Sequence, residues 1–259
     1  MTDGNDYQIR RERPAGFPSI EIITVDREPV NAVSSRMYEE IAATFNSFVD
    51  NDTIRCIILT GAGRKAFIAG ADVREFLELD AASGPSYMKL RRRSFESVRD
   101  CPVPVIGAIN GHALGAGVAF AAACDILIAS ESATFGVPEI NVGVLGGARH
   151  LARLVPPQLV RYLTLTGRRL TARHMYELGA LCAVVPNDEL LDAALEIASE
   201  ITEKSKFATR LAKEGLNLIE NLDLADGYHV EQLNSIILSA LPDSKIAVQA
   251  FLDKTKPVF

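Results

Sequence analysis

Short apolar segments rich in β-branched residues alternate with amphipathic segments along the first half of this chain. Such runs, when bounded by Gly, Pro or Asp, are typical of buried strands. Four are present, at 19–25, 55–60, 103–108 and 126–129. Apolar residues recur at three- and four-residue spacings from Ser34 or Ser35 to about Val49, which predicts a helix with one buried face. Strands that alternate with helices predict an α/β fold.

Helical patterns dominate the chain from Pro156 onward. The predicted helices are 157–166, 171–178, 189–203, 207–219, 224–239 and 244–254, with one strand-like run at 183–185. No low-complexity linker separates this part from the α/β segments. We therefore predict one domain, in which residues 1–200 form the α/β core and residues 201–259 form a helical C-terminal region used for oligomerisation.

The composition of the 259 residues is that of an ordinary soluble globular protein, with 48% hydrophobic and 23% charged residues. The formal net charge of -6 argues against a nucleic-acid partner, because binding phosphates requires clustered Lys and Arg. The acidic N-terminus and the lack of an apolar run of about 18 residues predict no membrane span and a cytoplasmic location. One basic run, 89–93, is interpreted as a solvated helix face, with a phosphate site as the alternative.

Cysteine, histidine and glycine patterns argue against several kinds of chemistry. The four cysteines are widely spaced and three adjoin apolar runs, so reduced, buried thiols are expected. The four histidines show no metal-ligand spacing, and no metal site is predicted. The glycine motifs of nucleotide-binding loops and the Gly-x-Ser-x-Gly motif of serine hydrolases do not occur. We therefore expect no bound prosthetic group.

Two turns of small residues and one isolated carboxylate are the strongest candidates for a catalytic site. The turns are 67–72 and 113–117, and the carboxylate is Glu139 within 135–140. The turns carry almost no side chain and can approach a ligand closely, and each precedes a predicted helix whose first N–H groups lack partners. Two exposed N–H groups beside one acid predict an oxyanion hole.

Four segments, 65–75, 104–117, 124–126 and 135–139, together resemble the enoyl-CoA hydratase/isomerase (crotonase) family in order and spacing. The resemblance extends over nearly the whole chain. It implies a core spiral of ββα repeats, trimers or hexamers built through the C-terminal helices, and an acyl-CoA thioester as the substrate. Coenzyme A would then enter as part of the substrate and not as a resident cofactor.

The resemblance also implies roles for individual residues. The N–H groups of Ala71 and Ala116 would hold the thioester oxygen, and Glu139 would be the acid–base residue. Contacts with the coenzyme A portion are implied for Arg27, Val30, Lys65, Ala69, Asp72, Val73, Arg74, Gly115 and Lys254, with Arg27, Arg74 and Lys254 near the phosphates. The alternative for Arg27 and Arg74 is a solvated surface charge, and for Asp72 it is a helix cap.

The chain departs from the family pattern at Ala119, where family hydratases carry a first glutamate, and in a shorter loop at 140–150. One carboxylate in apolar surroundings has a raised pKa and suits proton transfer between two carbons. We therefore expect double-bond isomerisation or hydration of an activated enoyl-CoA. The alternatives are a one-glutamate C–C lyase or hydrolase and an acyl-CoA-binding protein without catalysis. For Glu139 alone, the alternative is a buried ion pair with Arg149 or Arg153.

Overall fold

The structure is a computed structural model that describes residues 7–259, which form ten strands and ten α-helices. The strands are β1 (Gln8–Glu12), β2 (Ile20–Asp26), β3 (Cys56–Gly61), β4 (Ala66–Ile68), β5 (Val105–Ile109), β6 (His112–Leu114), β7 (Ile126–Ser130), β8 (Thr134–Gly136), β9 (Arg169–Thr171) and β10 (Ala183–Val185). The helices are α1 (Ser35–Asn46), α2 (Gly84–Arg99), α3 (Ala116–Ala123), α4 (Ala148–Leu151), α5 (Pro157–Thr166), α6 (Ala172–Glu177), α7 (Leu190–Thr202), α8 (Lys206–Ile219), α9 (Leu224–Ser239) and α10 (Pro242–Leu252).

The larger sheet has six strands in the order β1-β2-β3-β5-β7-β10, and all neighbours are parallel except the antiparallel pair of β1 and β2. The four strands predicted from apolar runs are confirmed as β2, β3, β5 and β7, within two residues of their predicted bounds. These strands are buried on both faces, as near-continuous apolar runs in parallel sheets indicate.

A smaller sheet has the order β4-β6-β8-β9, in which β4, β6 and β8 are parallel. Each of its strands has three residues, which is too short for a periodic pattern to predict. Two successive segments, β3-β4-α2 and β5-β6-α3, repeat the same pattern. The first strand of each joins the larger sheet, the second joins the smaller sheet, and a helix follows. β7 and β8 begin a third repeat of this pattern, so the predicted α/β spiral of ββα repeats is confirmed.

The short helix α3 is buried along its whole length and packs against β4 and β6 of the smaller sheet and against α2 and α4. Six of its eight residues are alanine or glycine, so its backbone can lie close to β4. A Cβ added at Gly117 would lie 2.0 Å from the carbonyl oxygen of Ile68, which leaves no room for any side chain there. This close approach fixes the start of α3 at the end of the smaller sheet.

The C-terminal helices α8 to α10 pack on one another and present many apolar side chains to solvent. Lys213 connects α8 to the core, because its buried Nζ lies 2.8 Å from Asp125 Oδ2 and donates to Val103 O at 3.1 Å. Within residues 7–259, no single helix meets the length and hydropathy criteria for crossing a membrane, although α9 and α10 meet them as a pair bent by 87°.

The cysteine prediction is correct for three thiols and wrong for the fourth. Cys56, Cys101 and Cys124 are buried and free, and burial raises the pKa of each thiol. Cys182 is exposed, because it lies in the bend that leads into β10 at the edge of the larger sheet.

Candidate active site

Three neighbouring strands of the smaller sheet end at one edge, and the predicted site residues lie just beyond them. Ala71, Ala116 and Glu139 each follow the end of β4, β6 or β8 by no more than three residues. Because β4, β6 and β8 are parallel neighbours, their carboxyl ends meet at the same edge. The sheet therefore brings together two turns and one acid that are far apart in the sequence.

Both turns depend on glycine at positive φ, since Gly70 has a φ of 119° and Gly115 a φ of 53°. The residue after each glycine, Ala71 or Ala116, carries the N–H of interest. Within residues 7–259 these two N–H groups donate to no protein acceptor. The chain around Ala71 is held by its neighbours instead, because Val33 N–H donates to Gly70 O at 2.9 Å and Asp72 N–H donates to Val33 O at 2.9 Å.

A cavity of about 200 Å³, called the Glu139 cavity below, opens at this edge. Its lining includes Ala71, Ala116 and Glu139, together with the apolar Phe76 and the basic Arg91. A Cβ added at Gly115 would lie 2.8 Å from Glu139 Oε1, which places the carboxylate directly against the Gly115–Ala116 turn. The residues that carry two unpaired N–H groups and one carboxylate therefore line a single small space.

The Glu139 carboxylate is buried and has no hydrogen-bond partner within residues 7–259. Burial raises its pKa above the ordinary value of 4.5, and the charge of Arg91 opposes only part of this increase. The alternative of an ion pair with Arg149 or Arg153 is wrong. Arg149 donates to Asn221 at 3.1 Å, and Arg153 pairs with Glu220 at 2.9 Å.

Replacing Glu139 with Gln is expected to stabilise the protein at pH 7 and to have little effect on stability at pH 4. The carboxyl is protonated in both folded and unfolded states below 4.5, whereas above its raised folded pKa the buried charge destabilises the native state. Urea unfolding of wild type and Glu139→Gln at both pH values measures the difference. The exposed Glu131→Gln serves as the matched control, and an equal effect of Glu139→Gln at the two pH values would contradict the proposed burial of the charge.

Asp72 connects two of the cations predicted to lie near coenzyme A. Its carboxylate pairs with Arg27 at 3.0 Å and with Arg74 at 2.6 Å, and it accepts from the N–H of Arg74 at 3.1 Å. Asp72 thus also caps the short helical turn Val73–Leu77. The hydrogen bonds from Arg74 lower the pKa of Asp72 to about 2, although burial acts in the opposite direction.

The alternative of a solvated charge is wrong for Arg27, whereas the side chain of Arg74 is exposed and also pairs with Asp72. Arg27 is 8% exposed, and its guanidinium also donates to Ala32 O at 2.9 Å. It is buried because the chain between β2 and α1 folds back over the Asp72 turn.

The remaining residues predicted to contact coenzyme A lie at different distances from the cavity. Ala69, Val73 and Gly115 line the Glu139 cavity. Val30 lies beside it, because its carbonyl accepts from Ala69 N–H at 3.1 Å. Lys65 is exposed just before β4. Lys254 follows α10, has a φ of 54° and does not line the cavity.

The family model for enoyl-CoA hydratase/isomerase matches residues 17–259. This chain belongs to the enoyl-CoA hydratase/isomerase family. It is therefore an enzyme of the crotonase family, whose members act on CoA thioesters.

Relatives in the enoyl-CoA hydratase/isomerase family carry names for more than one reaction. The (7aS)-7a-methyl-1,5-dioxo-2,3,5,6,7,7a-hexahydro-1H-indene-carboxyl-CoA hydrolase of Rhodococcus jostii is 36% identical over 242 residues, 92% of each chain. The short-chain-enoyl-CoA hydratase of Clostridium acetobutylicum is 32% identical over 243 residues, also 92% of each chain. The crystal structure of an enoyl-CoA hydratase from Bacillus anthracis has a TM-score of 0.90 and 33% identity, covering 98% of this chain and 99% of that one.

Ala119, where family hydratases carry a glutamate, lines a second cavity of about 260 Å³, called the Ala119 cavity below. The Ala119 cavity shares Arg91, Gly115 and Ala116 with the Glu139 cavity, so the two adjoin. Small side chains at Ala119 and Gly146 leave open space in the Ala119 cavity. This member of the enoyl-CoA hydratase/isomerase family therefore has room beside Glu139 in place of a second acid.

Arg91 corrects the interpretation of the basic run 89–93 as a solvated helix face. Lys89, Arg92 and Arg93 are exposed, but Arg91 is buried and lines both cavities. On α2, it shares the buried face with Tyr87 and Phe95, which are four residues away on either side. That spacing was visible in the sequence and could have indicated a buried arginine.

Asn31 is a supporting residue that sequence reasoning missed. It has a φ of 55°, which asparagine tolerates better than most residues. Its buried side-chain amide donates to Ala62 O at 3.0 Å, Ala66 O at 2.9 Å and Phe67 O at 3.2 Å. Asn31 therefore holds the chain that follows β2 against β4, the strand that leads to Ala71.

Replacing Asn31 with Asp is expected to lower the free energy of unfolding by about 3 kcal/mol, because an acceptor oxygen would then face three carbonyls in a buried place. Aspartate tolerates the positive φ, so the backbone is not the cause of the loss. Urea unfolding at pH 7 measures it. Asn51→Asp is the control, because Asn51 Oδ1 accepts from Thr53 and Ile54 and an aspartate oxygen can do the same. Equal losses in the two variants would contradict the assigned role.

Proposed function

We propose that the N–H groups of Ala71 and Ala116 bind the thioester oxygen of an enoyl-CoA and that Glu139 transfers a proton on the adjacent carbon chain. The observation that supports this most strongly is the shared cavity, which is lined by the residues of two unpaired N–H groups and one unpaired buried carboxylate. A thioester oxygen is an acceptor that both N–H groups can share.

The chemistry of a thioester explains why such a site is effective. Removing a proton from the carbon beside the thioester, or adding a nucleophile to its conjugated double bond, places negative charge on the thioester oxygen. Two fixed N–H donors stabilise that charge without having to reorganise. Glu139 in its ionised form takes the proton, and its raised pKa makes it a stronger base than an exposed carboxylate.

The proposed reaction is double-bond isomerisation, or hydration of an enoyl-CoA that its own substituents activate. Isomerisation moves one proton from one carbon to another, which a single carboxylate can perform in both directions. Standard hydration uses a second acid to position water in family hydratases, and Ala119 cannot supply one. The Ala119 cavity instead offers space for part of the acyl group.

A second candidate reaction is hydrolysis of a C–C bond in an acyl-CoA. The observation that favours it is the relative from Rhodococcus jostii, which is named a hydrolase and is 36% identical. Cleavage of such a bond also releases a thioester enolate, so the same N–H groups would stabilise the leaving group. Glu139 would then activate the attacking water.

We propose that Lys65, Arg27 and Arg74 lie near the nucleotide portion of coenzyme A, with Ala69, Val73 and Val30 along its thioester arm. Arg74 is suited to a phosphate because its side chain is 75% exposed while Asp72 orients it. Lys254 does not line the Glu139 cavity, so its contact with the coenzyme A portion stays a prediction.

We also propose that the chain forms homotrimers or homohexamers through its C-terminal region, 201–259. Helices α8 to α10 expose apolar side chains that an interface would cover, including Leu216, Leu224, Ile236, Ile237, Phe251 and Leu252. Sedimentation velocity should show a trimer or a hexamer at micromolar concentration. A monomer under these conditions would contradict the proposal.

The proposed function is tested with a panel of enoyl-CoA substrates and Glu139→Gln as the control. Loss of the conjugated thioester absorbance, double-bond migration and formation of hydroxyacyl or cleaved products are measured separately. Turnover of at least one substrate that depends on Glu139 is expected, and the product identifies the reaction. Tight binding without turnover on the whole panel would indicate an acyl-CoA-binding protein instead.

A further inference from the structure

Arg91 is a buried cation whose hydrogen-bonding capacity is almost unused. It is 9% exposed, and its only hydrogen bond within residues 7–259 is to the sulfur of Met88 at 3.7 Å. Its Nε has no partner, and within the same residues no carboxylate lies within 4.0 Å of it. A guanidinium has five N–H donors, and leaving them unpaired in a buried place is costly.

Aromatic rings surround the guanidinium of Arg91, but they supply no hydrogen-bond partners for its N–H donors. Its Cζ lies 5.6 Å from the ring centroid of Tyr87, 5.8 Å from that of Phe76 and 5.9 Å from that of Tyr38. Such contacts involve the faces of the rings and stabilise a cation. They do not use the N–H groups at the edge of the guanidinium, and the buried hydroxyl oxygens of Tyr38 and Tyr87 make no hydrogen bond with it either.

The same side chain borders both cavities, between the turn that carries Ala116 and the space next to Ala119. A thioester held by Ala71 and Ala116 would therefore extend its acyl group past Glu139 towards Arg91. An acyl chain made only of carbon and hydrogen would cover the guanidinium but give its N–H groups no hydrogen-bond acceptor. An oxygen on the acyl group would accept its hydrogen bonds.

We infer that the acyl group of the substrate carries a carboxylate or keto oxygen beyond the thioester and that Arg91 binds this oxygen. The inference rests on the proposed function, because it places the thioester at Ala71 and Ala116. It narrows the substrate class to oxygen-bearing acyl-CoA thioesters. A keto oxygen bound by a cation would also withdraw electrons from the acyl chain, which is the activation that a site with one glutamate needs.

The test measures binding of three four-carbon thioesters to the Glu139→Gln protein by calorimetry. Butyryl-CoA has no further oxygen, acetoacetyl-CoA carries a keto oxygen and succinyl-CoA carries a carboxylate. We expect at least one of the latter two to bind about ten- to a hundredfold more tightly than butyryl-CoA. The tighter of the two distinguishes a ketone from a carboxylate as the group recognised.

Arg91→Met in the same background should remove this preference and change the affinity for butyryl-CoA by less than about threefold. Arg93→Met, an exposed arginine on the same helix, is the matched control and should keep the preference. Equal affinities for all three thioesters in the protein with Arg91 intact would overturn the inference, whether or not the Met variant folds. Failure of all three to bind would overturn the proposed function as well.

Discussion

Glu139→Gln is expected to lower kcat on the order of 10³-fold while leaving the affinity for acyl-CoA thioesters within about threefold. The amide has nearly the same size as the carboxylate and fits the same place beside Gly115, but it cannot accept a proton at neutral pH. Because both oxygens of Glu139 lack a hydrogen-bond partner within residues 7–259, the change breaks no contact that holds the fold. Steady-state kinetics together with calorimetric binding separates the two effects.

The exposed Glu131→Gln provides the matched control, since it makes the same chemical change outside both cavities. It should keep wild-type turnover. If Glu139→Gln also turned over at the wild-type rate, Glu139 would not be the proton-transfer residue and the proposed reaction would be wrong.

Gly115→Ala is expected to lower kcat by about 10²-fold or more. The added Cβ would lie 2.8 Å from Glu139 Oε1, so either the carboxylate or the turn must move. Its φ of 53° is also unfavourable for alanine, and relief of that strain would rotate the N–H of Ala116. Removing one donor of an oxyanion hole costs about this factor in kcat.

Gly179→Ala separates backbone strain from the effect on the site. Gly179 has a φ of 79°, but no atom lies within 4 Å of an added Cβ, and the residue follows α6 away from both cavities. We expect it to lose about 1 kcal/mol of stability and to keep its activity. A Gly115→Ala enzyme as active as Gly179→Ala would contradict the placement of Ala116 N–H in the site.

The sequence predicted the larger sheet well, because β2, β3, β5 and β7 are buried on both faces and appear as apolar runs. It did not predict the smaller sheet, whose strands have three residues each and acquire their pairing only from the spiral of the chain. The smaller sheet is nevertheless what places Ala71 beside Ala116. The convergence of the two turns could therefore be expected only from the family resemblance, not from local patterns.

For single residues too, the sequence predicted what local patterns determine and missed what depends on packing between distant segments. Glu139 was predictable as a lone acid in an apolar segment, and its burial follows from that segment. A solvated charge is the alternative for Arg27 and the interpretation of the run that contains Arg91, but Arg27 pairs with Asp72 and Arg91 lies among aromatic rings. Arg27 is buried by the Asp72 turn, which is distant in sequence, and its charge gives no indication of such packing. For Arg91, the spacing of Tyr87 and Phe95 on the same helix is a local signal of the buried face.

Ala71 and Ala116 are proposed to polarise a bound thioester, and the carbonyl stretching frequency of the bound ligand tests this polarisation most directly. Butyryl-CoA labelled with a heavy isotope at the thioester carbonyl is bound to the wild-type protein and examined by infrared difference spectroscopy. We predict a shift of this band to lower frequency on binding, because hydrogen bonds to the oxygen weaken the C=O bond, and a smaller shift in Gly115→Ala. An unshifted band in a fully bound complex would contradict the oxyanion hole, whatever reaction the enzyme catalyses.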